Sequence, residues 1–210
     1  MAAGQVTTGF SKPYVALYQC EDGVIGYSSG MKLARGVEVS IEPESSENNN
    51  FYADNQVAES DSGKFTGGSA NLTVDGLKVA AEKLIMGVPD PDAQGWVDYD
   101  DEQNIPDVGI GFVRRVMSGG VTTYIPYILV RTTFSQIPIS AATQEEEIDW
   151  QTEELSATIK RADDAKHTWR KVGTPVSTEA EAEAAIKAYL NITDGDSSGG
   201  TDEQETDDNG

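Results

Sequence analysis

Residues 108–134, VGIGFVRRVMSGGVTTYIPYILVRTTF, form the longest strand-rich run in the chain, and their reading decides the fold. Two runs rich in branched and aromatic residues flank Ser118-Gly119-Gly120, whose glycines supply the positive φ of a tight turn, so the stretch predicts a long hairpin. Tyr124 to Val130 is largely apolar on both alternating faces, which predicts a strand covered on both sides. Pro126 has no amide donor and predicts a bulge or an edge at that point. Gly109-Ile110-Gly111 lies inside the strand pattern with no helix after it to present its N-terminus to a phosphate. It predicts close packing or a bulge rather than a nucleotide site.

Upstream, Tyr14 to Tyr18 and Val24 to Tyr27 flank Glu21-Asp22-Gly23, the signature of a second hairpin. Val37, Val39 and Ile41 alternate with polar residues, as do Ala70, Leu72 and Val74, predicting two half-buried strands. Between them, residues 43–68 are polar and turn-rich and predict a long excursion. Asp75 stands where it would cap a helix carrying Leu77, Ala80 or Ala81, and Leu84, stopped by Gly87. Residues 88–107, with Pro89, Pro91 and Pro106, predict a long loop.

Downstream, Leu155, Ala157 and Ile159 alternate, and Thr168 to Val172 adds a short strand. Thr178 with Glu181 forms a capping-box pattern ahead of the stripe Ala182, Ala185, Ile186, Tyr189 and Leu190. Residues 191–210 are Gly, Ser, Thr and acids, which predicts a disordered tail. The fold class expected is α+β, mainly β, with one domain over 1–190 and two flanking helices.

Acidic residues outnumber basic ones 36 to 15, and the net charge of −21 repels DNA phosphates rather than clamping them. Seven acids and no bases follow Leu190, so the imbalance is not only a tail effect. Cys20 and His167 are the only residues of their types. An internal disulfide, a Cys-based zinc site and a His-rich metal centre are thereby excluded, and an enzyme would have carboxylates or one imidazole to work with. Glu145-Glu146-Glu147 reads as a solvated run, and nothing fixes a catalytic carboxylate separation. Trp96, Trp150 and Trp169 read as core or interface anchors. No signal-peptide pattern and no apolar run long enough to span a membrane is present.

Asp90, Asp92, Gln94, Asp98 and Asp101 fall at loop positions 1, 3, 5, 9 and 12 of an EF-hand-like pattern, with Gly95 at position 6. Position 12 is Asp rather than the longer bidentate Glu, and Asn104-Ile105-Pro106 is a poor start for an exiting helix. A solvated acidic loop is the preferred reading, and a calcium-dependent binding or adhesive module is the alternative.

With Asn50-Phe51-Tyr52-Ala53-Asp54-Asn55, preceded by Val37 to Pro43, the sequence resembles the major tail protein (tail tube protein) family of siphophages. The resemblance continues through Ala70 to Asp75, Leu84 to Gly87, Val108 to Phe112 and the helix at Thr178 to Leu190. It implies a tail-tube fold of β-sandwich-like, barrel-forming sheets with flanking helices, six copies per ring, and rings stacked into a tube through which DNA passes. Residues 43–68 become an inter-subunit loop, with Phe51, Tyr52, Asp54, Asn55, Lys64 and Phe65 at the interface.

The partners so implied are further copies of the chain and other tail proteins such as the tape measure, tail tip and terminator, with DNA only in passage and no membrane. The implied location is the virion tail, reached from the host cytoplasm. No catalysis, cofactor or metal is expected. A single-ring tube-capping protein is the closely related alternative. Some relatives append an immunoglobulin-like domain at the C-terminus, where this chain carries its acidic stretch instead.

Overall fold

The computed structural model describes residues 4–47, 49–53, 56–61, 63–139 and 151–193, with backbone alone over 49–61. In chain order the described elements are β1 (Gln5–Glu21), β2 (Val24–Lys32), β3 (Gly36–Ser45), β4 (Asn49–Ala53), β5 (Gln56–Asp61) and β6 (Phe65–Val74). They continue with α1 (Val79–Met86), β7 (Val108–Ser118), β8 (Val121–Phe134), β9 (Glu153–Ile159), β10 (Arg170–Val172) and α2 (Glu179–Tyr189). The fold is α+β and mainly β. One antiparallel sheet runs β2-β1-β7-β8-β9-β6-β3, with β10 paired beside β8, and β4-β5 form a separate two-stranded ribbon.

Both predicted hairpins close on two-residue turns with positive φ at each central residue. Asp22 (50°) and Gly23 (77°) join β1 to β2, and Gly119 (58°) and Gly120 (82°) join β7 to β8. This is the turn geometry whose twist matches that of the flanking strands. β1 begins at Gln5, ahead of the strand residues legible in the sequence, because its first half pairs with β7 from Gln5↔Ser118 onward. That half alternates weakly and carries few apolar residues.

The two faces of the central strands bury different things. Val15, Ile110, Phe112 and Leu129 point into the main core, against Leu72 and Val74 of β6, Leu155 and Ile159 of β9, and Ala81, Ile85 and Met86 of α1. Ala16, Val113, Ile128 and Val130 point the other way, under Ala182, Ile186 and Leu190 of α2. Two-sided burial of β8 is therefore as its sequence predicts. Each buried Val, Leu, Ile, Met or Phe among these contributes about 1.5–3 kcal/mol through removal from water.

The sheet curls on itself. β1 and β3 stand far apart in its order, yet Phe10, Val39 and Ile41 share the main core, and a Cβ placed at Gly36 would meet the Phe10 ring at 2.2 Å. The two layers of the expected sandwich are thus parts of one sheet.

Gly109 and Gly111 lie on the α2 side of β7. A Cβ at Gly109 would sit 2.3 Å from the Tyr27 ring, and one at Gly111 would sit 2.4 Å from Ile186 Cγ2. The register also shifts between Val108 and Ile110, so close packing and irregularity coincide at these glycines. Pro126 faces the outer flank of β8, where its carbonyl accepts from the Gly173 amide at 2.8 Å and the β10 ladder ends at Tyr127. Its missing donor falls where the neighbouring strand stops.

Several expectations need correction. Asp75 does not cap α1: the N-cap is Lys78, without a side-chain cap, and Asp75 instead holds the Arg35 amide and guanidinium. The chain from Asp75 to Lys78 is too extended to begin a helix there, and Arg35 offers a charged partner. The fully buried face of α1 is Ala81, Ile85 and Met86; of the predicted stripe Ala81 belongs to it, and Leu77 and Leu84 pack half-buried against the same core. Val37 is 55% exposed, because a register shift between Gly36 and Glu38 turns it off the apolar face.

In α2, Ala185 is exposed, although the capping box at Thr178 and Glu181 forms as predicted. Asn191 and Ile192 belong to the folded body rather than to the tail. The Asn191 side-chain amide donates to the Tyr27 carbonyl at 3.2 Å, and Ile192 packs beside Gly30. Residues 194–210 lie outside the described residues.

Gly111→Ala is expected to destabilise the chain by about 1–3 kcal/mol, since β-carbon bulk there displaces α2. Gly26→Ala, with open space around its Cβ, serves as the near-neutral control. Urea unfolding of the two variants checks the contrast.

Candidate assembly interface

Residues 43–68, expected as a loop, are largely strand. β3 and β6 pair from Gly36↔Val74 out to Ser45↔Phe65, while β9 accompanies β6 only as far as Gly68↔Ile159. Beyond that point the chain is a two-stranded ribbon, taken up by β4 and β5 from Asn49↔Asp61 to Ala53↔Gln56. At ~3.3 Å per residue, ten residues of extended chain reach at most ~33 Å. A ribbon of two strands paired only with each other need not alternate apolar and polar residues as a strand on a core does, so its sequence reads as polar loop.

Of the predicted interface residues, Phe51 and Tyr52 lie in β4, and Asp54 and Asn55 lie outside the described residues. Lys64 is exposed at the ribbon base, where its backbone pairs with Ser46: the Ser46 amide donates to the Lys64 carbonyl at 2.9 Å, and the Lys64 amide donates to Ser46 Oγ at 3.0 Å. Phe65 is half-buried and stacks on Trp169, with ring centroids 4.3 Å apart and planes 8° from parallel. It therefore anchors the ribbon to its own chain.

The five residues of the EF-hand-like pattern are not gathered. Asp90 pairs with Lys83, and Asp92 Oδ1 accepts from the amides of Gln94 (2.9 Å) and Trp96 (2.8 Å), closing a local turn. Among the described residues no cluster of three or more acids, histidines or cysteines is placed to hold a metal ion. The loop is tied back by Tyr99 to Glu82 and by Gln103 to the Met86 carbonyl. Trp96, expected as a core or interface anchor, stands 74% exposed just after the turn, its carbonyl accepting from the Asp92 amide at 2.8 Å.

A groove of about 440 Å³ opens where the curled sheet fails to close, between the first half of β1 and β3. Its floor is Phe10, Phe112 and Tyr127, with Val39 and Ile41 on the β3 side. Phe112 and Tyr127 stack at 5.5 Å, and Phe10 meets Phe112 edge-on at 5.4 Å. Arg114 and Arg170 stand at the mouth. Arg114 donates to Thr7 Oγ1 and to the Tyr127 hydroxyl (3.0 Å), and Arg170 lies over the Trp169 ring at 4.5 Å. Neither forms an ion pair with a carboxylate among the described residues.

The opposite end of β7 is closed by a charged knot. Asp107 accepts from Arg131 Nε (2.6 Å), Lys160 Nζ (2.8 Å) and Thr133 Oγ1, and its carbonyl accepts from the Tyr18 amide (2.9 Å). Arg131 also reaches Asp163 at 2.7 Å and stacks on Tyr18. Burial pushes the Asp107 carboxyl upward, but the hydrogen bonds from Lys160, Thr133 and Arg131 outweigh it and hold the group below the usual carboxylate range. His167, the lone imidazole, sits in a turn at φ 53° with Nδ1 3.2 Å from the Ala162 carbonyl oxygen.

Among the described residues no helix is long and apolar enough to cross a membrane. No protein-family model matches the sequence, and no curated protein matches it either. Sequence reading did not single out Arg114, Arg170, Phe10 or Asp107. The inward position of Arg114 follows from its two-residue spacing after Ile110 and Phe112 once β7 is placed; Arg170 and Phe10 join it only through tertiary structure.

A carboxylate depressed in the folded state contributes stability above its unfolded value, ~3.9 for Asp, and loses it as pH falls through the folded value. Asp107→Asn is therefore expected to cost about 1–3 kcal/mol at neutral pH, with the gap from wild type narrowing below pH ~4. Urea unfolding at stepped pH measures it. Calcium titration by calorimetry is expected to give no heat; a stoichiometric heat abolished by Asp92→Asn would restore the cation reading.

Proposed function

We propose that this chain is a structural subunit that assembles with copies of itself into hexameric rings stacked as a tube, in the manner of a phage tail tube, with no chemical step. The observation that carries the reading is the ribbon over residues 43–68, which leaves the sheet as two strands only. An isolated two-stranded ribbon is marginal in water and gains stability when a neighbouring surface covers it.

The sheet has further unfinished business at its edges. β2 and β3 end the strand order, and the first half of β1 pairs only with β7. Such edges are templates for pairing with another chain, and closing them into a larger barrel removes the hazard. The resemblance of Asn50 to Asn55 and its flanking strands to the tail tube family supports the same reading. On it, the excess of acids keeps a DNA passage free of sticking contacts. The remaining partners would be the other tail proteins, in the virion.

Negative-stain electron microscopy across a concentration series is expected to show rings or tubes with a hollow centre. Replacing residues 47–62 with a short Gly-containing turn should leave a folded subunit that no longer makes them. Monomers at every concentration of the full chain would overturn the proposal.

A further inference from the structure

The chain carries an exposed aromatic knob and, elsewhere, an aromatic hole of opposite charge. Trp96 is 74% exposed on a loop whose acids, apart from Asp107 in the ion-pair knot, are Asp90, Asp92, Asp98, Asp100, Asp101 and Glu102, with no Lys or Arg among residues 88–107. The groove floored by Phe10, Phe112 and Tyr127 has Arg114 and Arg170 at its mouth and one acid, Glu38, in its wall. In a chain of net charge −21, what sets this groove apart is that two arginines without a carboxylate partner among the described residues line the same aromatic hollow.

We infer that the Trp96 loop of one copy docks in the Arg114–Arg170 groove of a second copy, forming a head-to-tail contact. This rests on the self-assembly reading above and specifies one of its contacts. The occupant follows from complementarity. An indole fits an aromatic floor, arginine guanidinium groups stack on indole faces and pair with the flanking carboxylates, and Trp and Arg are the residues most enriched at interface hot spots.

The loop does not fill the groove of its own chain, since none of the groove walls comes from residues 88–107. It is tied to α1 and enters β7 at Val108, whereas the groove lies beside Arg114, seven residues or ~23 Å of extended chain beyond Asp107. Knob and hole are different surfaces, so the contact is heterologous: each copy that docks still offers its own free knob or hole to the next. Contacts of that kind build rings or open stacks rather than closed dimers.

The test uses the full chain. Sedimentation velocity would compare wild type with Trp96→Ala and Arg170→Glu, both exposed positions whose variants should keep the wild-type far-ultraviolet dichroism. A photo-crosslinking benzophenone amino acid at position 96, in a mixture of isotopically light and heavy copies, would report what the loop touches. The expected result is that each substitution raises the concentration needed for assembly at least tenfold, and that light-to-heavy crosslinks fall in the peptides spanning Val37 to Ile41 or Phe112 to Tyr127. Assembly of both variants at wild-type concentrations, or crosslinks confined to other surfaces, would overturn the contact while leaving self-assembly standing. Wild type that stays monomeric throughout would overturn both.

Discussion

Close approach at Gly109 and Gly111 is the constraint on which the rest of the structure depends. β7 sits in the middle of the sheet and must be covered on both faces. On one side Val108, Ile110 and Phe112 fill the curled core; on the other, the missing side chains of the two glycines let Tyr27 and α2 press against the strand backbone. The register of β7 fixes β1 and β8 beside it, and through them β2, β9 and β10. α2 is then held by more than apolar contact, since Tyr14 and Ser11 of β1 donate to Glu183 and Glu179. Burial first, and the hydrogen bond to Glu183 second, push the Tyr14 hydroxyl up to about 12, so this tie is not lost to ionisation at neutral pH.

Because β7 and β8 are saturated on both faces, the sheet has to resolve its surplus elsewhere. It does so by curling until β3 approaches β1, without pairing them into a closed barrel. The gap that remains is the aromatic groove, and the strands beside it keep unpaired edges. At one end of β7 the Asp107 knot seals the structure with ion pairs that the same chain satisfies. Near its other end, Arg114 is met among the described residues by neutral hydroxyls and a ring. The two ends thus differ in how far their charges are matched.

Strand content, both tight hairpins, the α2 capping box and the two-sided burial of β8 were legible because each is a local pattern. Alternation, Asp-Gly and Gly-Gly turns, and Thr178 three residues before Glu181 carry their physics within a few positions. What escaped depends on distant partners. Asp75 is drawn to Arg35 instead of to the helix beside it, and the shift at Gly36 turns Val37 outward. Residues 43–68 read as an excursion and not as paired strands, because a ribbon that stands beyond the sheet carries no alternating pattern in this sequence. The groove is built from β1, β3, β7, β8 and the Arg170 strand, and no window of sequence spans those pieces.

The same distinction bears on why the chain is so acidic. A subunit that relied on indiscriminate apolar patches to associate would aggregate, and a charge of −21 opposes that by mutual repulsion. On the self-assembly proposed above, repulsion alone would also forbid productive contact, so attraction would have to be concentrated where cations have no partner in their own chain. Lys83, Arg35, Arg131 and Lys160 are already paired with carboxylates of their own chain. Among the described residues Arg114 and Arg170 form no such pair, and of the cations in that state they are the two that line the groove with the aromatic floor. Specific assembly from a strongly acidic subunit then needs only a matching acidic aromatic element on the next copy, and the exposed loop around Trp96 has that composition.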